Sequence, residues 1–177
     1  RERPRRHDPG APVPWYELVF YACNYGVLLP WTLLVLAPRW RGTERLVGSA
    51  APPLLLGAAY ATVLFTDRAG SPEGSYLTLD GVVAIFTSRQ TVAAAWMHYL
   101  AFDLFVGAWI ARDARRLALP HRAVAPFLVL TLLFGPVGLG GYLLLRGARR
   151  GRWALAPAPS AEADDAQASS KPRSRAA

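Results

Sequence analysis

The sequence predicts an all-α protein, an integral membrane helical bundle with about four transmembrane helices. Three observations carry this. Hydrophobic residues make up 53% of the 177-residue chain, and between Trp15 and Leu145 they gather into runs of about 20 residues. A helix rises ~1.5 Å per residue, so such a run crosses a hydrocarbon layer ~30 Å thick. Aromatic rings border the first run, with Trp15 and Tyr16 at one end and Trp31 and Trp40 toward the other, as amphipathic rings do at a membrane interface. Arginines stand at the run ends: Arg39 and Arg41, Arg112, Arg115 and Arg116, then Arg146, Arg149 and Arg150. That placement assigns them to lipid headgroups.

The mean hydropathy of +0.18 understates the apolar character because both ends are polar. Residues 1–14 form a basic, Pro-rich leader expected to be disordered, and 15–148 the transmembrane domain. The leader and the run after it lack a short apolar core with a small-residue cleavage site, so the first run reads as a retained span. It covers about 18–37, with Pro30 expected to bend it. The second span covers about 46–65. Its Pro52 and Pro53 fall in the first turns, where a missing amide donor costs little, and Gly57, Ala58, Ala59 and Ala61 allow close helix contact.

Residues 66–90 open with turn chemistry at Asp67, Gly70, Ser71, Pro72 and Gly74. The stretch Tyr76 to Phe86 is too short to span and is expected to form an interfacial or re-entrant helix. The third span covers about 91–111, its helix continuing through Leu119 to stop before Pro120. The fourth covers about 123–145 and is interrupted by Gly135, Pro136, Gly138, Gly140 and Gly141. The tail, 149–177, is basic, then rich in Ala, Pro, Ser and Asp, a composition expected to be disordered. Four spans put both termini on one side. Arginine counts of ten against seven place that side in the cytoplasm.

The formal charge is +8 and the pI about 10.4, which would fit a nucleic-acid partner. The position of the arginines at span borders argues for membrane lipid instead and for no nucleic acid. The lone Cys23 excludes an internal disulfide and a Cys-based metal site. The three histidines are His7, His98 and His121, too few for membrane di-iron chemistry and unsuited to paired haem ligation. No Walker loop, serine elbow or zinc motif is present. Any enzyme here is expected to need neither metal nor redox cofactor.

An ionisable side chain within a membrane is costly and marks a candidate site. His98 and Asp103 lie well inside a span, whereas Glu17 sits at an edge. Asp103 should be protonated, paired, or turned to a polar cavity. Tyr99 shares its helix face, with Trp96 and Gly107 close by. His98 is about 140° round the helix and ~7.5 Å along the axis. A structural reading of both residues stays open: Asp103 paired with an Arg or bonded to kinked backbone, His98 bonded to a carbonyl. In the fourth run, Pro136 frees the carbonyl of Leu132, and its glycines suit either a packing helix or a flat ligand.

The stretch Trp96-Met97-His98-Tyr99-Leu100-Ala101-Phe102-Asp103-Leu104-Phe105-Val106-Gly107-Ala108-Trp109-Ile110 is distinctive. So are Asp113-Ala114, Pro120-His121, Pro126 and Leu130-Thr131-Leu132-Leu133-Phe134-Gly135-Pro136-Val137-Gly138, followed by Tyr142 and Leu143. They resemble the family of the plant abscisic-acid-deficiency protein four, required for making neoxanthin, whose bacterial members were formerly a domain of unknown function. The resemblance implies chemistry on a carotenoid or another isoprenoid lipid. Neoxanthin formation opens an epoxide and builds an allene, an isomerisation that needs one acid and one base. The implied roles are Asp103 as acid and His98 as base, with Tyr99 or His121 as helpers. The ligand would lie between the third and fourth helices, beside Trp96, Phe102, Gly107, Trp109, Phe134, Gly135, Pro136, Gly138 and Tyr142. The alternative is a non-catalytic carotenoid- or lipid-binding accessory protein, with oligomerisation open. The expected location is a bacterial inner (cytoplasmic) membrane.

Overall fold

The computed structural model describes residues 12–67, 71–151 and 153. The leader and tail expected to be disordered lie almost entirely outside them. The described residues form eight helices and no strand. Three stretches are long and apolar enough to cross a membrane: Trp15–Leu36, Arg41–Phe65 and Arg89–Arg116. The large side chains on their outer faces are apolar, as at Leu36 (77% exposed), Leu55 (71%) and Phe65 (84%). In water such a surface would drive aggregation; against lipid it is the favourable one.

The first stretch is two helices, α1 (Trp15–Gly26) and α2 (Leu28–Leu36), separated at Val27. Pro30 lies in the first turn of α2 and has no N–H to give the carbonyl four residues back, that of Gly26. The bend expected at Pro30 thus falls one turn earlier. The second stretch is also divided, into α3 (Arg41–Val47) and α4 (Ala51–Phe65), with Pro52 and Pro53 inside the first turn of α4. α5 (Leu79–Ile85) is a short helix opened by Thr78, whose hydroxyl accepts from the Gly81 amide at 3.1 Å. Tyr76, Leu77 and Leu79 around it are largely exposed.

α6 (Arg89–Arg116) is the central element. Its buried positions recur at helical spacing: Leu100, Leu104, Ala108 and Ile110 form the main core with Trp31, Leu34 and Leu56, and Ala93, Ala94 and Met97 a second cluster with Val63. It starts at the N-cap Ser88 and ends short of the expected Leu119. Ala118 takes a left-handed φ of 49°. The Ala118 amide donates to the Arg115 carbonyl (3.0 Å) and the Leu119 amide to that of Ala114 (2.9 Å). This is a Schellman end, placed by Pro120, which holds Leu119 out of the helical region.

The run expected as the fourth span is two antiparallel helices, α7 (His121–Phe134) and α8 (Pro136–Arg150). Gly135 between them has φ +33°, a conformation that reverses the chain where a proline kink alone would only tilt it. The bonding pattern shows the reversal. A Cβ on Gly138 would meet the Thr131 backbone, and one on Gly141 the Phe127 ring, so residues progressively farther from Gly135 on the two arms face each other. Each arm is short, about 21 Å for the 14 residues of α7, below the ~30 Å of a crossing. The tip of the hairpin reaches Asp103, the fifteenth of the 28 residues of α6.

The ends of the bundle follow. α1 and α2 run alongside and parallel to α6: Glu17 pairs with Arg89 at 2.8 Å, and the Pro38 carbonyl accepts from Arg115 at 3.2 Å. α8 climbs α6 in the same direction, from Gly135 at Asp103 to Arg146 at Asp113. Residues 15 and 150 therefore lie at opposite ends of the bundle. Where four full-length spans were expected, the described residues show three stretches long enough to cross and, in place of the fourth, a hairpin of two shorter helices.

Candidate functional site

Asp103 is half-buried at the middle of α6, where its carboxyl faces the backbone of the hairpin turn. A Cβ on Gly135 would sit 2.6 Å from its Oδ1, so only glycine leaves room for the carboxyl. Among the described residues no group hydrogen-bonds or ion-pairs with it. It also stands at the start of α8, where the exposed amides and helix dipole favour a negative group.

Beyond the hairpin tip, the same face of α6 is uncovered. Trp96 and Tyr99 are 49% and 60% exposed, as is Phe134 (60%) beside the turn. The Trp96 indole donates to Asn24 Oδ1 of α1 at 2.9 Å. A stripe of aromatic surface thus leads to Asp103, with a polar amide held at its far end, about 10 Å along the axis. Pro136 is exposed at the first position of α8.

His98 faces elsewhere. Its ring packs on Phe102 (centroids 4.6 Å) and Tyr60 of α4 (5.4 Å), on the side of α6 away from the hairpin turn. Its pairing with Asp103 is not made by this fold. His121 is farther still: its Nε2 donates to the Val35 carbonyl at 2.8 Å, at the opposite end of α7 from Gly135. Its expected role as a helper at Asp103 does not fit that distance.

Several expected ligand contacts are packing contacts. Gly107 is buried under Trp31, whose ring would stand 2.5 Å from an added Cβ. Gly138 seats Thr131. Tyr142 is fully buried; its ring meets Trp109 edge-on at 5.9 Å, and its hydroxyl donates to Asp113 Oδ2 at 2.6 Å. Arg146 reaches the same oxygen at 2.9 Å and is 2% exposed. The headgroup position expected for Arg146 is thus corrected: a buried Asp113–Tyr142–Arg146 cluster ties α8 to α6. The signal was the four-residue spacing of Tyr142 and Arg146, which places both on one face of a helix. Asn24 carries no charge, so the rarity of ionisable groups in apolar runs does not single it out. Among the described residues no three His, Cys, Asp or Glu side chains gather to hold a metal ion.

The sequence pattern of the ABA DEFICIENT 4-like family matches residues 18–142. The protein ABA DEFICIENT 4, chloroplastic, of Arabidopsis thaliana is 30% identical over 137 residues, covering 72% of this chain and 60% of the relative. The chain thus spans less than two thirds of that curated relative. No solved structure matches it. The family match begins in α1 and ends at Tyr142 in α8, taking in the central helix, the hairpin turn and the candidate site, and the chain belongs to the ABA DEFICIENT 4-like family.

Proposed function

We propose that the protein acts in a carotenoid pathway, within the bilayer, as a redox-neutral isomerase that opens an epoxide on a carotenoid or related isoprenoid. The observation that supports this most is Asp103: a carboxyl midway along a helix long and apolar enough to cross a membrane, without a protein partner among the described residues, beside an aromatic stripe that suits a flat polyene. A group so costly to keep in a membrane is retained where it has work to do. Family membership supports the pathway.

The chemistry fits a single carboxyl. The Asp103 carboxyl gives its proton to the epoxide oxygen as the carbon–oxygen bond breaks. The carboxylate that remains takes a proton from the neighbouring polyene carbon, and its loss completes the allene. Electrons balance within the substrate, and Asp103 ends as it began. This assigns acid and base to one residue with two oxygens, replacing the His98 base that the fold turns away.

The test is expression of the full chain in a violaxanthin-producing host, with pigment analysis. An allenic product is expected from the wild type and His98→Gln and is expected to be lost in Asp103→Asn. Full conversion by Asp103→Asn would remove Asp103 from the reaction. The second reading, an accessory that binds pigment for another enzyme, draws on the openness of the Trp96–Tyr99 stripe. It predicts co-purified, unaltered pigment. Membrane sidedness is part of the proposal: among the described residues Arg39, Arg41, Arg45, Arg112, Arg115, Arg116, Arg122 and Arg149 stand toward one end of the bundle and Arg89 toward the other, so the end carrying the α7–α8 base faces the cytoplasm.

A further inference from the structure

At that arginine-rich end, about 18 Å along α6 from Asp103, a cavity of about 420 Å³ opens between the end of α2, the last turns of α6 and the start of α7. The size suits a small ligand or the head of a larger one. Arg39, Arg115 and His121 line it, and no acidic side chain does. Arg115 Nη1 is held by Glu44 (2.6 Å) and the Pro38 carbonyl (3.2 Å), which fixes the guanidinium and leaves its other N–H groups to donate. Arg39 is exposed and, among the described residues, has no ion-pair partner. His121, at the cavity wall, is the first residue of α7, a 14-residue helix that no side chain caps, so its first amides add positive potential. The rest of the lining is apolar, from Ala111, Leu119 and Val124.

We propose that this cavity binds the phosphate of an amphiphile, the basic groups taking the phosphate oxygens and the apolar wall the start of its chain. Two guanidinium groups and an uncapped helix start are a phosphate-binding set. The position at the helix ends is where phosphate-bearing heads meet a membrane protein. The phosphate belongs either to an anionic phospholipid or to an isoprenoid diphosphate.

The full chain, delipidated in a neutral detergent, is titrated separately with dioleoylphosphatidylglycerol and with geranylgeranyl diphosphate, and bound ligand is counted by native mass spectrometry. Saturable one-to-one binding of either is expected, and which one binds names the source. In Arg39→Ala the affinity should fall about tenfold or more, while Arg149→Ala, at the same end outside the cavity, should bind as wild type. Arg39 is at the surface, so its variant should keep the wild-type unfolding midpoint and a drop in affinity would not reflect misfolding. Absence of saturable binding of both ligands, or equal binding by the two variants, would overturn the proposal. The readout is binding alone, so it stands or falls apart from the isomerase reading.

Discussion

At the residue scale, small and buried residues decide whether the site can exist. Gly135 serves twice, supplying the φ of +33° that turns the hairpin and the space that Asp103 occupies. Gly135→Ala should cost about 1–2 kcal/mol from the left-handed backbone and push the carboxyl aside. Thermal unfolding and pigment conversion should fall together, whereas Gly140→Ala, which meets open space, should leave both unchanged. The buried cluster makes a different demand. Asp113→Asn would remove the negative charge that Arg146 pairs with at 2.9 Å, at a cost of about 3–5 kcal/mol. Tyr142→Phe removes one hydrogen bond to a charged group, about 1.5–3 kcal/mol. The double replacement Asp113→Leu/Arg146→Met should recover much of the loss of Asp113→Asn. If the double variant unfolds as readily as the single one, the ion pair is not what joins α8 to α6.

At the element scale, the helices end where local chemistry ends them. The Schellman close of α6 asks for a left-handed residue and gets Ala118, which pays the strain of a Cβ. Ala118→Gly should therefore raise the thermal midpoint, by about 1 kcal/mol of stability at most once the added chain entropy is counted. A fall would mean that the Ala118 methyl is needed for packing. The same local reasoning explains what could be read from the sequence. The cores of the apolar runs were legible from length and composition, and Asp103 stood out because charge is rare in such runs. The break after Gly26 was half legible, since Pro30 announced a bend but not its place. The hairpin was not legible: Gly135-Pro136 reads equally as a kink or a reversal until Thr131 and Phe127 are seen to accept Gly138 and Gly141 as neighbours. The facing of His98 was hidden for the same reason, because helical angle fixes a direction but not which helix lies there.

For the whole molecule, that one unreadable turn sets the topology. Three stretches are long and apolar enough to cross a membrane; on the proposed topology they carry the chain from one side to the other, and the hairpin enters from the far side and returns to it. On that topology the arms of about 21 Å would bring Gly135 only to mid-depth, with Asp103 covered from one leaflet and open to the other. A flat substrate would then approach in the leaflet that holds Trp96 and Tyr99, while polar groups at the base of the hairpin stay with the opposite headgroups. Sidedness tests this directly. In a Cys23→Ala background, Val13→Cys and Trp153→Cys place single thiols before α1 and after α8. A membrane-impermeant maleimide applied to intact cells should label Val13→Cys. It should label Trp153→Cys only after the membrane is opened, since the arginine-rich end faces inward. Labelling of both from the same side would require α7 and α8 to cross together as one span. It would also remove the mid-depth turn on which the role of Asp103 depends.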